Sequence, residues 1–227
     1  MLAMDSTKSA ETLYLRTYAN DWERPENMSD SETKAMELVN VIYDYLTGMY
    51  DIHLASFLTD WPAQPYKTRT IPQNRLPVLS YLPELVTEAN TEIAKITKML
   101  AISMDSLGWG QTYSRGDFGA AFLEKYGWTE LIGLRGPIAS EGIACGFLLL
   151  GPEIEYPKHS HEAEEIYIPF SSQSLWVQGN GDWMPRQASV PIYHRSWLTH
   201  GMRSESTPLL ALYLWRGGDL AQKSHID

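Results

Sequence analysis

His159 and His161 lie two residues apart in a stretch from Gly151 to Tyr167 that is rich in imidazole, carboxylate and phenol side chains. On an extended strand, side chains alternate between faces, so both imidazoles project to the same side. Glu165 and Tyr167 repeat that spacing. A tight turn through Glu162, Ala163 and Glu164 would fold the two segments together and bring the four side chains to one point inside a small barrel. His200 offers a third imidazole. A borderline or hard divalent cation accepts such donors, and zinc, iron and manganese all suit them. The competing reading is a solvated, charged surface turn. The offset of Glu165, the distal His200 and the apolar segments on both sides favour the metal.

The elements that must position these residues divide the chain. Its 227 residues are 44% hydrophobic and 20% charged, enough to bury a sizeable core without covalent staples. The N-terminal half reads as helical. Ser29 and Glu32 form a capping-box pattern, followed at helical spacing by Ala35, Leu38, Ile42, Tyr45, Leu46 and Met49. A short helix is expected over residues 6–18. The proline-rich segment 61–83 reads as an irregular wrapping loop. The clearest helix covers 84–104, with Val86, Ala89, Ile93, Ile96 and Leu100 on one stripe, and a last helix is expected over 118–126.

Beyond residue 127 short aromatic and aliphatic runs alternate with turn residues, as in an antiparallel barrel. Strands are expected over 128–134, 142–150, 165–170, 174–178, 182–186, 189–193 and 209–216, with Asn180-Gly181 as a hairpin turn. The fold expected is mostly β with N-terminal α-helices: residues 1–127 a helical region packing on the barrel, residues 128–227 the barrel with its metal site.

Composition narrows the partners. A formal net charge of -10 argues against nucleic acid or an anionic membrane surface. Cys145 is the single cysteine, so neither an intrachain disulfide nor a thiolate-rich zinc site is available, and its apolar neighbours mark it as a buried structural thiol. With no basic start followed by an apolar core and no apolar run of transmembrane length, a cytoplasmic protein is expected.

His159-x-His161-x-x-x-Glu165 with a distal His200 resembles the two metal-binding motifs of cupins. Tyr156 before the histidines, Tyr167 after the glutamate and Trp215 on the last long strand resemble cupin-type dimethylsulfoniopropionate lyases. The helical first half is similar to their longer, DddL- and DddQ-like members. The next glycine after Glu165 is Gly179, later than the general first motif has it, and Arg195, Ser196 and Trp197 stand where the second usually carries Pro-x-Gly. His200, followed by Gly201, Met202 and Arg203, is taken as the distal ligand in preference to His194.

The resemblance implies a small zwitterionic substrate, with a carboxylate and a tertiary sulfonium, cleaved by β-elimination to acrylate, dimethyl sulfide and a proton. Tyr167, sharing strand parity with Glu165, is the expected general base, since a nearby divalent cation favours phenolate. Tyr156 is out of parity with His159 unless Pro157 bulges the strand, and is assigned substrate positioning or proton relay. Trp215 and Trp197 are the expected aromatic wall for the sulfonium, with Tyr126 and Trp128 as further candidates. Tyr193 and Tyr213 read as packing residues. The alternatives are a cupin iron(II) dioxygenase and a non-catalytic small-ligand-binding cupin. A homodimer is compatible with all three.

Overall fold

The structure, a computed structural model, describes residues 29–87 and 91–226. The helix expected over 6–18 lies outside them. Helix α1 (Asp30–Thr47) begins at the anticipated capping box: the Ser29 hydroxyl accepts from the Glu32 amide, and the Glu32 carboxylate accepts from the Ser29 amide. A short helix not anticipated, α2 (Ile52–Leu58), follows with Asp51 as its cap. The long helix expected over 84–104 is two elements. A 3-10 helix spans Pro77–Leu85, and α3 (Glu92–Ser103) starts afresh where the Thr91 hydroxyl accepts from the Ala94 amide. Helix α4 (Arg115–Glu124) kinks at Gly119, whose φ of 80° only glycine adopts easily.

The strands are β1 (Trp109–Gly110), β2 (Tyr126–Gly133), β3 (Ile138–Ala139), β4 (Ile143–Leu150), β5 (Glu155–Ser160), β6 (Glu164–Pro169), β7 (Ser174–Gln178), β8 (Met184–Pro185), β9 (Ile192–His194), β10 (His200–Ser204), β11 (Leu209–Arg216) and β12 (His225–Ile226). They form a seven-stranded sheet in the order β1-β2-β4-β11-β6-β9, with β3 beside β2, and a five-stranded sheet in the order β12-β5-β10-β7-β8. All pairings are antiparallel except β2 with β3. The boundary expected at residue 127 falls within β2, and β1 pairs with β2, so the larger sheet draws strands from both sides of it. The turn after Gln178 joins β7 to β8, as the Asn180-Gly181 signal implied.

Strand parity separates two cores. Ile143, Cys145, Phe147 and Leu149 of β4, with Leu210, Leu212 and Leu214 of β11 and Ile166 and Ile168 of β6, pack against Leu38, Ile42, Leu79 and Ile96 of the helical layer. The alternate residues Ala144, Leu148, Tyr167, Ala211 and Tyr213 face the barrel interior. Strand β4 is therefore covered on both faces, which is why its sequence is one continuous apolar run rather than an alternating one. Each fully buried aliphatic side chain contributes roughly 1.5–3 kcal/mol. Cys145 belongs to the outer core, where burial pushes its thiol up.

Candidate active site

The turn through 161–163 does not close a hairpin: it carries the chain from the five-stranded sheet (β5) to the seven-stranded one (β6). His159 therefore approaches from one sheet and Glu165 from the other, His161 sits on the turn between them, and His200 arrives from β10, paired directly opposite His159. Ligand atoms of these four buried residues lie within 4.8 Å of one another.

Each imidazole is oriented by the backbone. Nδ1 of His159 donates to the Pro157 carbonyl at 2.8 Å, Nδ1 of His161 to Ala163 at 2.9 Å, and Nδ1 of His200 to Leu198 at 2.7 Å. A carbonyl only accepts, so Nδ1 carries a proton, and the tautomer that can ligate a metal turns the lone pair of Nε2 inward. His161 Nε2 and His200 Nε2 then lie 3.0 and 2.9 Å from Glu165 Oε2. His200 Nε2 has no hydrogen bond there. Lone pairs facing a carboxylate oxygen at such distances call for a cation between them, and one divalent ion would satisfy all four donors together. Burial, reinforced by His200, holds His159 well below the ordinary imidazole range and so neutral, as ligation requires. The buried set suits a metal ion.

Three aromatic side chains enclose the cluster. The indole of Trp215 donates from Nε1 to Glu165 Oε1 at 2.5 Å and lies over His161 with ring centroids 4.0 Å apart. Tyr156 meets His159 at 4.4 Å. It does so through a bulge: His200 pairs with His159 and Met202 with Tyr156, so an extra residue in β5 restores Tyr156 to the face of His159. Tyr167 follows Glu165 on the same face of β6, its ring 6.3 Å from that of His200. Burial and the adjacent Glu165 carboxylate hold its phenol well above the usual range.

Beyond these aromatics lies a cavity of about 340 Å³. Tyr156, Tyr167 and Trp215 line it and also touch the histidines of the cluster, so these three side chains are where cavity and cluster meet. Its other lining follows strand parity: Tyr126, Trp128 and Glu130 of β2, Ala144 and Leu148 of β4, and Tyr213 of β11. Tyr213 is thus more than packing, although its hydroxyl does bond to the Thr129 carbonyl at 3.4 Å. Glu130 is buried and accepts from the amides of Arg135 and Gly136. The half-exposed Arg135 and Lys223 stand at the rim.

One expectation needs correction. Trp197 does not line the cavity: it is 53% exposed, with φ 59°, and its amide donates to the His161 carbonyl. Its place is on the surface loop that fixes His161. His194 lies outside the four-residue cluster, behind His200. The lining residues Gln111, Thr112, Glu130, Arg135 and Lys223 went unread in the sequence. They are polar residues scattered over strand ends and connections, with no spacing that marks them as a group.

A barrel of two antiparallel sheets with a buried set of three histidines and a glutamate on its inner face is a cupin. Comparison with known proteins narrows the class. The family model for dimethylsulfoniopropionate lyase matches residues 56–211, and the chain belongs to that family of carbon–sulfur lyases. It is 30% identical over 168 residues to the dimethylsulfoniopropionate lyase DddQ of Ruegeria pomeroyi, covering 73% of this chain and 79% of that one. It is 31% identical over 131 residues to a putative lyase, DddL, of Cereibacter sphaeroides, covering 55% of this chain and 52% of that one. The crystal structure of the Ruegeria pomeroyi DddQ superimposes with a TM-score of 0.75 over 87% of this chain and 97% of that one, at 24% identity. Among the described residues no helix is long and apolar enough to cross a membrane.

Proposed function

We propose that the protein cleaves dimethylsulfoniopropionate to dimethyl sulfide and acrylate by metal-dependent β-elimination, with Tyr167 as general base. The observation that carries this is the placing of Tyr156, Tyr167 and Trp215 against both a cavity and a buried three-histidine, one-glutamate cluster, in a chain of this family. His159, His161, Glu165 and His200 would hold the ion. When bound, a divalent ion there supplies positive charge for a substrate carboxylate and for a phenolate.

The residues divide the rest of the work. Tyr167 Oη takes the proton from the carbon alpha to the carboxylate, acting as phenolate. As the electron pair moves into the new carbon–carbon double bond, the carbon–sulfur bond breaks and its electrons leave on sulfur as neutral sulfide. Trp215, with Trp128 and Tyr126 in the same cavity lining, offers aromatic surface to the soft sulfonium. Tyr156 directs a hydroxyl toward the substrate.

The test measures dimethyl sulfide in the headspace over dimethylsulfoniopropionate. The protein is stripped with chelator and reloaded separately with zinc, manganese or iron(II), and Tyr167→Phe is run in parallel. Release that depends on metal and is lost in Tyr167→Phe at full metal content supports both assignments. Absence of release under every metal would overturn the substrate, and oxygen uptake would point instead to a dioxygenase.

A further inference from the structure

We infer that Tyr113, which does not itself line the cavity, is a positioning residue of the active site that fixes the hydroxyl of Tyr156. The inference rests on the reading of Tyr156 as substrate-facing. The two phenol oxygens are 3.0 Å apart and buried. A phenol hydroxyl has one proton and rotates about its C–O bond, so a partner held in place decides which way it points. With Tyr113 taking part of Tyr156's hydrogen-bonding capacity, what remains is left for a ligand in the cavity that Tyr156 lines.

Tyr113 is built to hold its place. It precedes the capping box of α4, in which the amide and hydroxyl of Ser114 donate to Asp117 at 2.7 and 2.8 Å. Its ring is held edge-on by Phe118 at 4.8 Å and Phe122 at 6.3 Å, and it leans on Tyr126 at 5.9 Å. Lys223 places its ammonium 5.0 Å over the same ring while paired with Asp117. A ring packed from several sides presents its oxygen at one point, and pre-ordered hydrogen-bonding groups are what an active site gains most from. The segment before the barrel thereby supplies a fixed contact to the site, beyond its packing on the outer core.

The experiment is a double-mutant cycle on the metal-loaded protein with Tyr113→Phe, Tyr156→Phe and the pair, following kcat and KM for dimethyl sulfide release, metal content and thermal midpoint. Phenylalanine keeps the ring packing and removes only the oxygen. Tyr113→Phe should lower kcat by about 5- to 10-fold, the worth of one hydrogen bond, with metal content unchanged, and should have no further effect on Tyr156→Phe. A kcat equal to wild type, or an equal loss in both backgrounds, would overturn the proposal, the second by showing that Tyr113 acts independently. Full activity in Tyr156→Phe would overturn the reading of Tyr156 itself, and this proposal with it.

Discussion

The imidazole of His194 lies flat against that of His200, with ring centroids 4.0 Å apart and planes inclined by 14°. Only His200 reaches the cluster. Both ring nitrogens of His194 are buried without a hydrogen-bond partner, and burial, with His200 beside it, pushes its ring well below the ordinary imidazole range. His194 therefore acts on His200 as a flat packing surface, held in register opposite Glu165 on β6.

That relationship predicts opposite results for the two histidines. His194→Phe keeps a flat ring against His200 and removes two unpartnered buried nitrogens. It should retain full metal content and gain about 1–2 kcal/mol in stability. His200→Ala should lose the metal. Elemental analysis and urea unfolding of both variants check this, and loss of metal from His194→Phe would show that His194 is a ligand.

Trp215 holds two roles that one substitution would confuse. Its indole N–H bonds Glu165 while its ring lies over His161 and faces the cavity. Trp215→Phe removes the hydrogen bond and keeps most of the aromatic face, so metal affinity should fall about 10- to 100-fold, as when other partners of metal ligands are lost. Trp215→Ala should also raise KM more than it lowers turnover, measured at saturating metal. Equal KM in the two variants would remove the sulfonium wall from the argument.

How much of this was legible depended on what each segment packs against. The capping box at Ser29 and the apolar run of β4 were plain because local hydrogen bonding and two-sided burial leave strong marks in composition. Strands β5 and β10 were harder, since Glu155–Ser160 and His200–Ser204 spend their inward positions on ligands instead of aliphatic residues. The ligand set itself could be read because His159, His161 and Glu165 sit within one turn of chain. Trp197 was misplaced because its backbone has left the strand by a positive φ, which spacing does not reveal. The cavity residues Glu130 and Arg135 are neighbours in sequence but far from Lys223, and only the fold brings them together.

Gly146 tests the cavity floor. A β-carbon there would meet the Thr129 carbonyl oxygen at 1.9 Å and the Tyr213 hydroxyl at 2.8 Å. The first is backbone and cannot give way without parting β2 from β4. Gly146→Ala should therefore cost about 1–3 kcal/mol and reduce dimethyl sulfide release by displacing Tyr213 into the cavity. Denaturant midpoint and kcat together check it. A variant as stable as the parent would mean that the two strands are spaced more widely there than the structure places them.

Removing the metal should be felt by the whole barrel, because the cluster joins the two sheets: His159 and His200 on one, Glu165 on the other. Without a cation, the Glu165 carboxylate faces imidazole lone pairs with no charge to offset it, and the buried site opposes closure. A cation that binds the folded chain alone stabilises it by about 2.7 kcal/mol at a hundredfold excess over its Kd, a rise of roughly 5–11 °C in Tm for a chain of this size. Scanning the chelated protein against zinc, manganese and iron(II) at matched concentrations measures the affinity order without any turnover. Glu165→Gln keeps the shape of the side chain and removes its charge, so it should be less disturbed by chelator and gain less from each metal. An equal gain in both proteins would place the stabilising ion elsewhere, whatever the activity measurements return.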